Sequence, residues 1–377
     1  MKIAYVANIR LPTEKAHGVQ IMKMCEAFAD LGADVELVVP TRKTNVPDDP
    51  FTYYGVRENF MVCRLYAPDT AARGKLGFLL QSAWFALASR MYVSRRNPDI
   101  VYSRDTFVVA FGTARQIVWE MHTASWSWVA RRAARRVKRI IAISGGIKKF
   151  YEDRGVPTEI ISVAPDGVDL SDYEQAFALG KDGSRAMLGL PKEKKIVAYV
   201  GKMQTMGQSK GVEDIIRAVG ELAAHRSDVV LLIVGLNNTE FDLARSVAAS
   251  AKLPERQVIL VGHVQRAQVP YYLAASDVLV MNYPNTEHYA HMMSPLKVFE
   301  YMASGTPIVS TDLPTLREVL PEDAAFYVLP DDLESLRAGI QIVLDDAAVV
   351  ERGARAKKAV ESYTWKHRAQ GILSLLS

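Results

Sequence analysis

The amino-acid sequence predicts an α/β protein built from two doubly wound, mostly parallel sheets with helices on both faces. Three observations carry this. Apolar runs of strand length alternate with amphipathic segments of helix length along the whole chain. The alternation breaks once, at the polar, glycine-containing stretch LGKDGSRAMLGLPKEKK, and then restarts. The 377 residues are also more than one ordinary core needs, which fits two domains of similar size.

The elements follow in order. KIAYVA (2–7) reads as a buried strand and GVQIMKMCEAFADLG (18–32) as a helix with Val19, Met22, Ala27 and Leu31 on one face. DVELVVP (34–40) and FMVCRLY (60–66) are strands, and 75–96 is a helix. DIVYS (99–103) and QIVWEMH (116–122) are strands, followed by a helix over 126–137, the strand RIIAIS, a helix over 144–154 and the strand EIISVAP. The region from about 170 to 195 reads as the connection between domains, placing the boundary at 175/176. Beyond it come KIVAYVG, a helix over 211–225, VVLLIVG, a helix over 238–252, VILVG, a helix over 267–275 and VLVMN. A helix over 295–304, PIVST, a helix over 314–320, AFYVLP and two further helices complete the pattern. Sheets of this kind bind ligands at the carboxyl ends of their strands, so two facing domains would place a ligand in the cleft between them.

Composition narrows the function classes. Hydrophobic residues make up 49% and charged residues 23%, with a net charge of +4, as in an ordinary soluble chain. Two cysteines, Cys25 and Cys63, make neither a disulfide framework nor a metal-ligand cluster and suit a reducing cytosol. The longest apolar candidate, 76–93, is interrupted by Gln81, Ser82, Ser89 and Arg90, so no bilayer span is expected. No nucleic-acid recognition motif is present. Neither a P-loop nor a glycine-rich dinucleotide fingerprint follows a first strand.

The stretch HMMSPLKVFEYMASGTPIVSTD (291–312) carries the chemistry best. Ser294 is expected to cap a helix, with Pro295 in its first position, Gly305 closing it and Pro307 blocking continuation. Lys297 and Glu300 then share one face near its start. They form either an ordinary ion pair or a ligand site, because a helix N-terminus with a lysine favours phosphate and a carboxylate can accept from a vicinal diol. Lys202 directly follows the strand KIVAYVG, and Lys210 precedes Gly211 at the next helix start, so both lie on the ligand side. In the first half, His122 ends a strand, and Gly18 opens a helix where a backbone could approach a ligand closely.

In this order the pieces resemble the family 4 retaining glycosyltransferases, which have the GT-B fold of two facing Rossmann-like domains. The resemblance rests on the Gly18 loop, WEMH (119–122), AISGGIKKFYEDRGVP (142–157), VAPDGVDL (163–170), YVGKM and SKGVEDII within 199–216, VGHV (261–264), SPLKVFEYMASGTPIVSTDLPTLREV (294–319) and YTWKHRA (363–369). It covers nearly the whole chain, and the SPLKVFEYMA form is similar to a branch acting in polysaccharide and glycolipid assembly. The resemblance implies a domain over 1–175 on the acceptor side, a nucleotide-sugar domain over 176–361 and a helix over 362–377 crossing back to the first domain. It further implies that Lys202 and Lys210 bind the donor diphosphate, that Glu300 binds the ribose and that His122 contacts the donor sugar. Gly18 would lie near the diphosphate and acceptor, and the Ser294, Pro295 and Leu296 backbone with Lys297 would meet phosphate. Asp166 and Gly167, in VAPDGVDL, and Met292 and Met293 are further donor-site positions. His263 and Val264 would contact the nucleobase.

One departure stands out. The family's first glutamate of a pair is replaced by Met292, eight positions before Glu300, which leaves the donor sugar open. The expected activity is retaining, metal-independent transfer by front-face attack, with lysines and a helix terminus stabilising the leaving diphosphate. No Asp-x-Asp is present and no cofactor is expected. A nucleotide-sugar 2-epimerase or a non-catalytic sugar-binding relative is the alternative.

A last feature concerns partners. SWSWVARRAARRVKR (125–139) carries six cations in 131–139 behind Trp126 and Trp128, with no acid, and Arg131 and Arg135 fall one turn apart. With Arg90, Arg95 and Arg96 this face suits either an anionic membrane surface, hence a lipid-linked acceptor at the inner face, or plain solvation.

Overall fold

In the computed structural model, which describes residues 1–44, 46–70, 74–205, 207–346 and 348–376, the chain forms two compact units. Unit 1 is 1–166 together with 365–377, and unit 2 is 167–364.

Unit 1 alternates β1 (Lys2–Val6), α1 (Ala16–Asp30), β2 (Asp34–Pro40), α2 (Pro50–Tyr54), β3 (Met61–Leu65), α3 (Gly74–Arg96), β4 (Ile100–Ser103), α4 (Thr106–Phe111), β5 (Ile117–Met121), α5 (Trp128–Ala134), β6 (Arg139–Ala142), α6 (Gly145–Glu152) and β7 (Ile161–Val163). The seven strands are all parallel, in the order β3-β2-β1-β4-β5-β6-β7. The order reverses between β1 and β4, the position where a doubly wound sheet opens a crevice at its carboxyl edge.

Unit 2 begins with α7 (Ser171–Leu188), which contains a glycine kink at Gly180. The polar stretch read as a connection is therefore largely helical. Its buried face holds Arg185, bonded to Asp277 at 2.6 Å and to the carbonyls of Ala275, Lys192 and Lys194. Then come β8 (Lys195–Val200), a two-stranded hairpin of β9 (Gln204–Thr205) and β10 (Gln208–Ser209), α8 (Val212–Ala223), β11 (Val229–Leu236), α9 (Asn238–Ser250), β12 (Val258–Gly262), α10 (Val269–Ala274) and β13 (Val278–Met281). They are followed by α11 (Glu287–His291), α12 (Leu296–Ser304), β14 (Ile308–Thr311), α13 (Pro314–Arg317), β15 (Phe326–Val328), α14 (Leu333–Asp345) and α15 (Val349–Ala359). Six parallel strands run in the order β12-β11-β8-β13-β14-β15, and here the order reverses between β8 and β13. Ile196 through Tyr199 and Val229 through Val234 are almost wholly buried, because helices cover both faces.

The helix α16 (Trp365–Ser374) returns to unit 1, so three helices rather than two follow the last strand. It buries Trp365, Arg368, Ala369 and Ile372. The short helices α2, α4 and α11 and the β9–β10 hairpin escape a reading by periodicity, since each is under two turns or two residues per strand. The long helix α3 is inverted relative to its hydropathy. Gln81, Ser82 and Ser89, which broke the apolar run, are buried, while Leu76, Leu80, Trp84, Leu87 and Met91 are about half exposed or more. Gln81 donates to Asn8 at 2.8 Å and Asn8 donates to Ser82 at 3.1 Å, which pairs these inward groups with each other, while the Gln81 Oε1 has no hydrogen-bond partner among the described residues. No helix among the described residues is long and apolar enough to cross a membrane.

Candidate functional site

In unit 2 the site grows from the end of β8. Gly201 follows the strand with φ +133, a region closed to side chains, and a Cβ there would lie 3.2 Å from the Lys297 ammonium. Lys297 comes from the first turn of α12 and is 8% exposed. Its Nζ sits 3.3 Å from the centre of the Tyr199 ring and 5.9 Å from that of Tyr301, yet makes no hydrogen bond among the described residues. Burial, and then repulsion from Lys210, push its pKa well below the usual lysine range. Burial likewise lowers Lys210 to about 8; Lys202 adds to the fall and Glu240 opposes it. Lys210 precedes Gly211, which has φ +72 and packs so closely on Asn282, just past β13, that a Cβ would meet its carbonyl oxygen. Asn282 in turn donates to the Gly211 carbonyl at 3.1 Å. Lys202 is exposed.

The helix α12 starts one residue later than expected. Its N-cap residue is Pro295, which has no side-chain cap, rather than Ser294. In that first turn the Val298 N–H bonds the Pro295 carbonyl at 3.0 Å, and the helix dipole still places partial positive charge at this end. Gly305 ends the helix in the left-handed conformation, as anticipated. Glu300 does not pair with Lys297. It meets Arg266 at 3.3 Å, a residue that sequence reasoning missed although it lies close behind His263 and Val264. His263 is exposed, and Val264 packs partly on the core. Met292 ends α11, partly exposed, and Met293 is buried in the core. Gly167 is buried at the start of unit 2.

Unit 1 gathers a second cluster at the carboxyl end of β5. Glu120 is a fully buried carboxylate in an otherwise apolar strand. It contacts the His122 imidazole and the Tyr102 hydroxyl, accepts from Gln20 at 2.6 Å and faces Arg368 of α16 at 3.5 Å. Arg368 also donates to the Pro165 and Ala164 carbonyls. Arg104 donates to Gln20 at 2.7 Å. Burial pushes Glu120 up, but Arg368, His122 and Arg104 together hold it below the usual carboxylate range. Burial and Arg104 lower His122 to about 4 against the pull of Glu120, so its ring is neutral at pH 7. Burial raises Asp166 to about 7. Oxygen and nitrogen donors of Glu120, His122 and Asp166 lie within 4.8 Å of one another. The guanidinium of Arg368 already supplies a positive charge there, so the set better fits a proton-holding cluster than a cation site. Glu120, Gln20 and Arg368 sit inside the motifs quoted above; the readable signal was a charged residue in the middle of an apolar strand.

Gly18 lies inside α1, and the close approach it permits is that of the Tyr54 hydroxyl, which a Cβ would meet at 2.1 Å. That hydroxyl donates to the Thr13 carbonyl and accepts from its N–H, both at 2.7 Å, and so fixes the β1–α1 loop. Trp126 lies two residues before α5, partly exposed, with its ring 5.8 Å from that of Tyr151. Trp128, Arg131 and Arg135 do reach the surface, where with Arg132 and Arg136 they line a depression of about 380 Å³.

Residues 17–172 match the family described as Glycosyltransferase Family 4, and residues 194–346 match Glycosyl transferases group 1. A D-inositol 3-phosphate glycosyltransferase of Nocardia farcinica is 28% identical over 61% of this chain and 50% of its own length. The chain spans about half the length of the curated relatives it matches. Among solved structures, a sucrose-phosphate synthase from Thermosynechococcus elongatus superposes with a TM-score of 0.80 at 20% identity, covering 100% of this chain and 98% of that one. HepE of Anabaena, in complex with UDP and glucose, superposes with a TM-score of 0.74 at 18% identity, covering 100% and 99%. The two parallel-sheet units are thus those of the GT-B fold.

Proposed function

We propose, for a chain built from a glycosyltransferase family 4 domain followed by a group 1 glycosyl transferase domain, that it transfers a sugar from a nucleoside-diphosphate sugar to a glycan, glycolipid or lipid-linked acceptor. The observation that carries this reading is the Lys297 ammonium, buried, without a hydrogen-bond partner among the described residues and set against the bare backbone of Gly201. A buried charge of this kind is costly unless an anion completes it. Lys210, Lys202 and the N-terminal turn of α12 add positive potential at the same strand end.

The chemistry follows. The bond from the anomeric carbon to the diphosphate oxygen breaks, its electron pair leaves on the diphosphate, and positive charge builds on the sugar. Lys297, Lys210 and the helix terminus stabilise the leaving group electrostatically, the role a metal ion has in other transferases. The acceptor hydroxyl attacks on the face the diphosphate leaves, which retains configuration, and its proton passes to a diphosphate oxygen. His122, neutral and held by Glu120, is assigned to the transferred sugar, and Glu300 to the ribose. HepE carries UDP, which makes uridine donors the first to try.

The test is a thermal-shift screen against UDP, GDP, ADP, CDP and their common sugars, with and without EDTA. A selective shift that EDTA leaves unchanged is the expected result. No shift with any of them would sink the reading and favour a non-catalytic relative with Met292 in place of a donor-sugar ligand.

Glu300 has its own test. Glu300→Gln is expected to weaken UDP binding by about tenfold, near the 1–2 kcal/mol of one charge-assisted hydrogen bond, while inorganic pyrophosphate binds as before. Equal losses for both ligands would remove Glu300 from the ribose.

A further inference from the structure

The inverted helix α3 and the arginines of α5 lie on one continuous surface of unit 1. Leu76, Leu80, Trp84, Leu87 and Met91 follow one another at spacings of three and four, which aligns them on a single stripe. The stripe is joined to α5 through α4. Arg90 of α3 donates to the Phe111 carbonyl at 3.0 Å, the Phe111 ring meets Trp128 at 6.0 Å, and Arg132 lies 5.2 Å over the same ring. Trp128 is 61% exposed. Around these apolar groups stand Lys75, Arg90, Arg95, Arg115, Arg131, Arg132, Arg135, Arg136 and Lys138, all exposed. Residues 74–96, 106–115 and 123–138 contain no acid. Of the carboxylates beside α3, Glu36 is engaged by Arg96 and Tyr92, Asp69 by Arg42, and Asp99 accepts from the Lys2 N–H.

We propose that this face of unit 1 docks on an anionic lipid surface, with α3 lying in the plane of the interface and the α5 arginines against the headgroups. A large exposed apolar stripe needs an occupant. Its charge selects which one. A second copy of this chain, related by a two-fold axis, would bring the same arginines against themselves, whereas acidic headgroups neutralise them. Apolar side chains with a tryptophan, ringed by cations, match the boundary between headgroups and acyl chains.

The experiment is co-sedimentation of the full chain with vesicles of phosphatidylcholine alone and of phosphatidylcholine mixed with phosphatidylglycerol, at low and high salt. Binding to the anionic vesicles alone, weakened by salt, is expected. Arg131→Gln with Arg135→Gln should lower the affinity about thirtyfold, and Leu80→Gln with Leu87→Gln by about tenfold or more. Both pairs are exposed, so unchanged melting temperatures exclude misfolding as the cause. Equal binding to neutral vesicles, or wild-type binding by the leucine pair, would overturn the proposal. So would a dimer in sedimentation equilibrium that the leucine pair dissociates, which would give the face to a second copy.

Discussion

Lys297→Met raises the melting temperature of the ligand-free protein and at the same time weakens nucleoside diphosphate binding by about a hundredfold. The two effects share one cause. Among the described residues the ammonium is buried against the Tyr199 and Tyr301 rings and makes no hydrogen bond. A cation over a ring gains about 2 kcal/mol when desolvated, less than the several kcal/mol that burying the charge costs. Methionine keeps the volume, packs its sulfur on the same rings and removes the charge, for a gain of about 1 kcal/mol or more. The diphosphate then loses its buried cation. Thermal melts and titration calorimetry with UDP check both halves, and a variant that melts lower and binds as before would take Lys297 out of the site. The lowered pKa of Lys297, and of Lys210 at about 8, adds a sign. A bound anion restores the charged forms, so binding takes up protons and affinity falls as pH rises through about 8. Calorimetry in buffers of different ionisation heat reads that uptake directly.

The second large effect is on stability against pH, and it belongs to unit 1. His122 is lowered from 6.5 to about 4, so below pH 6.5 the unfolded chain binds the extra proton and stability falls with acid. Asp166 is raised from 3.8 to about 7, so above pH 3.8 the unfolded chain releases a proton that the folded chain keeps, and stability falls as pH rises. Between pH 4 and 6.5 the two slopes oppose each other. Asp166→Asn removes one of them, and the protein should become more acid-sensitive than wild type by on the order of 3 kcal/mol across that window. His122→Gln should shift the slope the opposite way by a similar amount. His17, lowered to about 4 by burial, contributes the same background to every variant. Urea unfolding at a series of pH values from 4 to 7 gives the slopes, and parallel curves for all three proteins would refute the assignment.

How much of this was legible in sequence depends on the range of the interaction. The strands of both sheets were readable because helices cover each face and leave unbroken apolar runs. The α12 site was half readable. Gly305 and Lys297 were placed correctly by local rules, but the partner of Glu300 was not, because Arg266 comes from another element. The inversion of α3 was hidden for the same reason: Gln81 and Ser82 look like solvent residues until Asn8, from the β1 end, is brought against them. Glu120 was passed over, although a charge in an apolar strand is a readable signal, and its counter-ion lies 248 positions later in the chain, at Arg368.

That last separation has a consequence for synthesis. A ribosome that has finished residues 1–166 has delivered every strand of unit 1 but not the cation that compensates its central carboxylate. The whole of unit 2 must be translated before α16 emerges. Until then Glu120 has its burial and its contacts with Gln20, Tyr102 and His122 but lacks Arg368, the group that does most to hold the carboxylate charged against that burial. Completion of unit 1 therefore reports that unit 2 has been made.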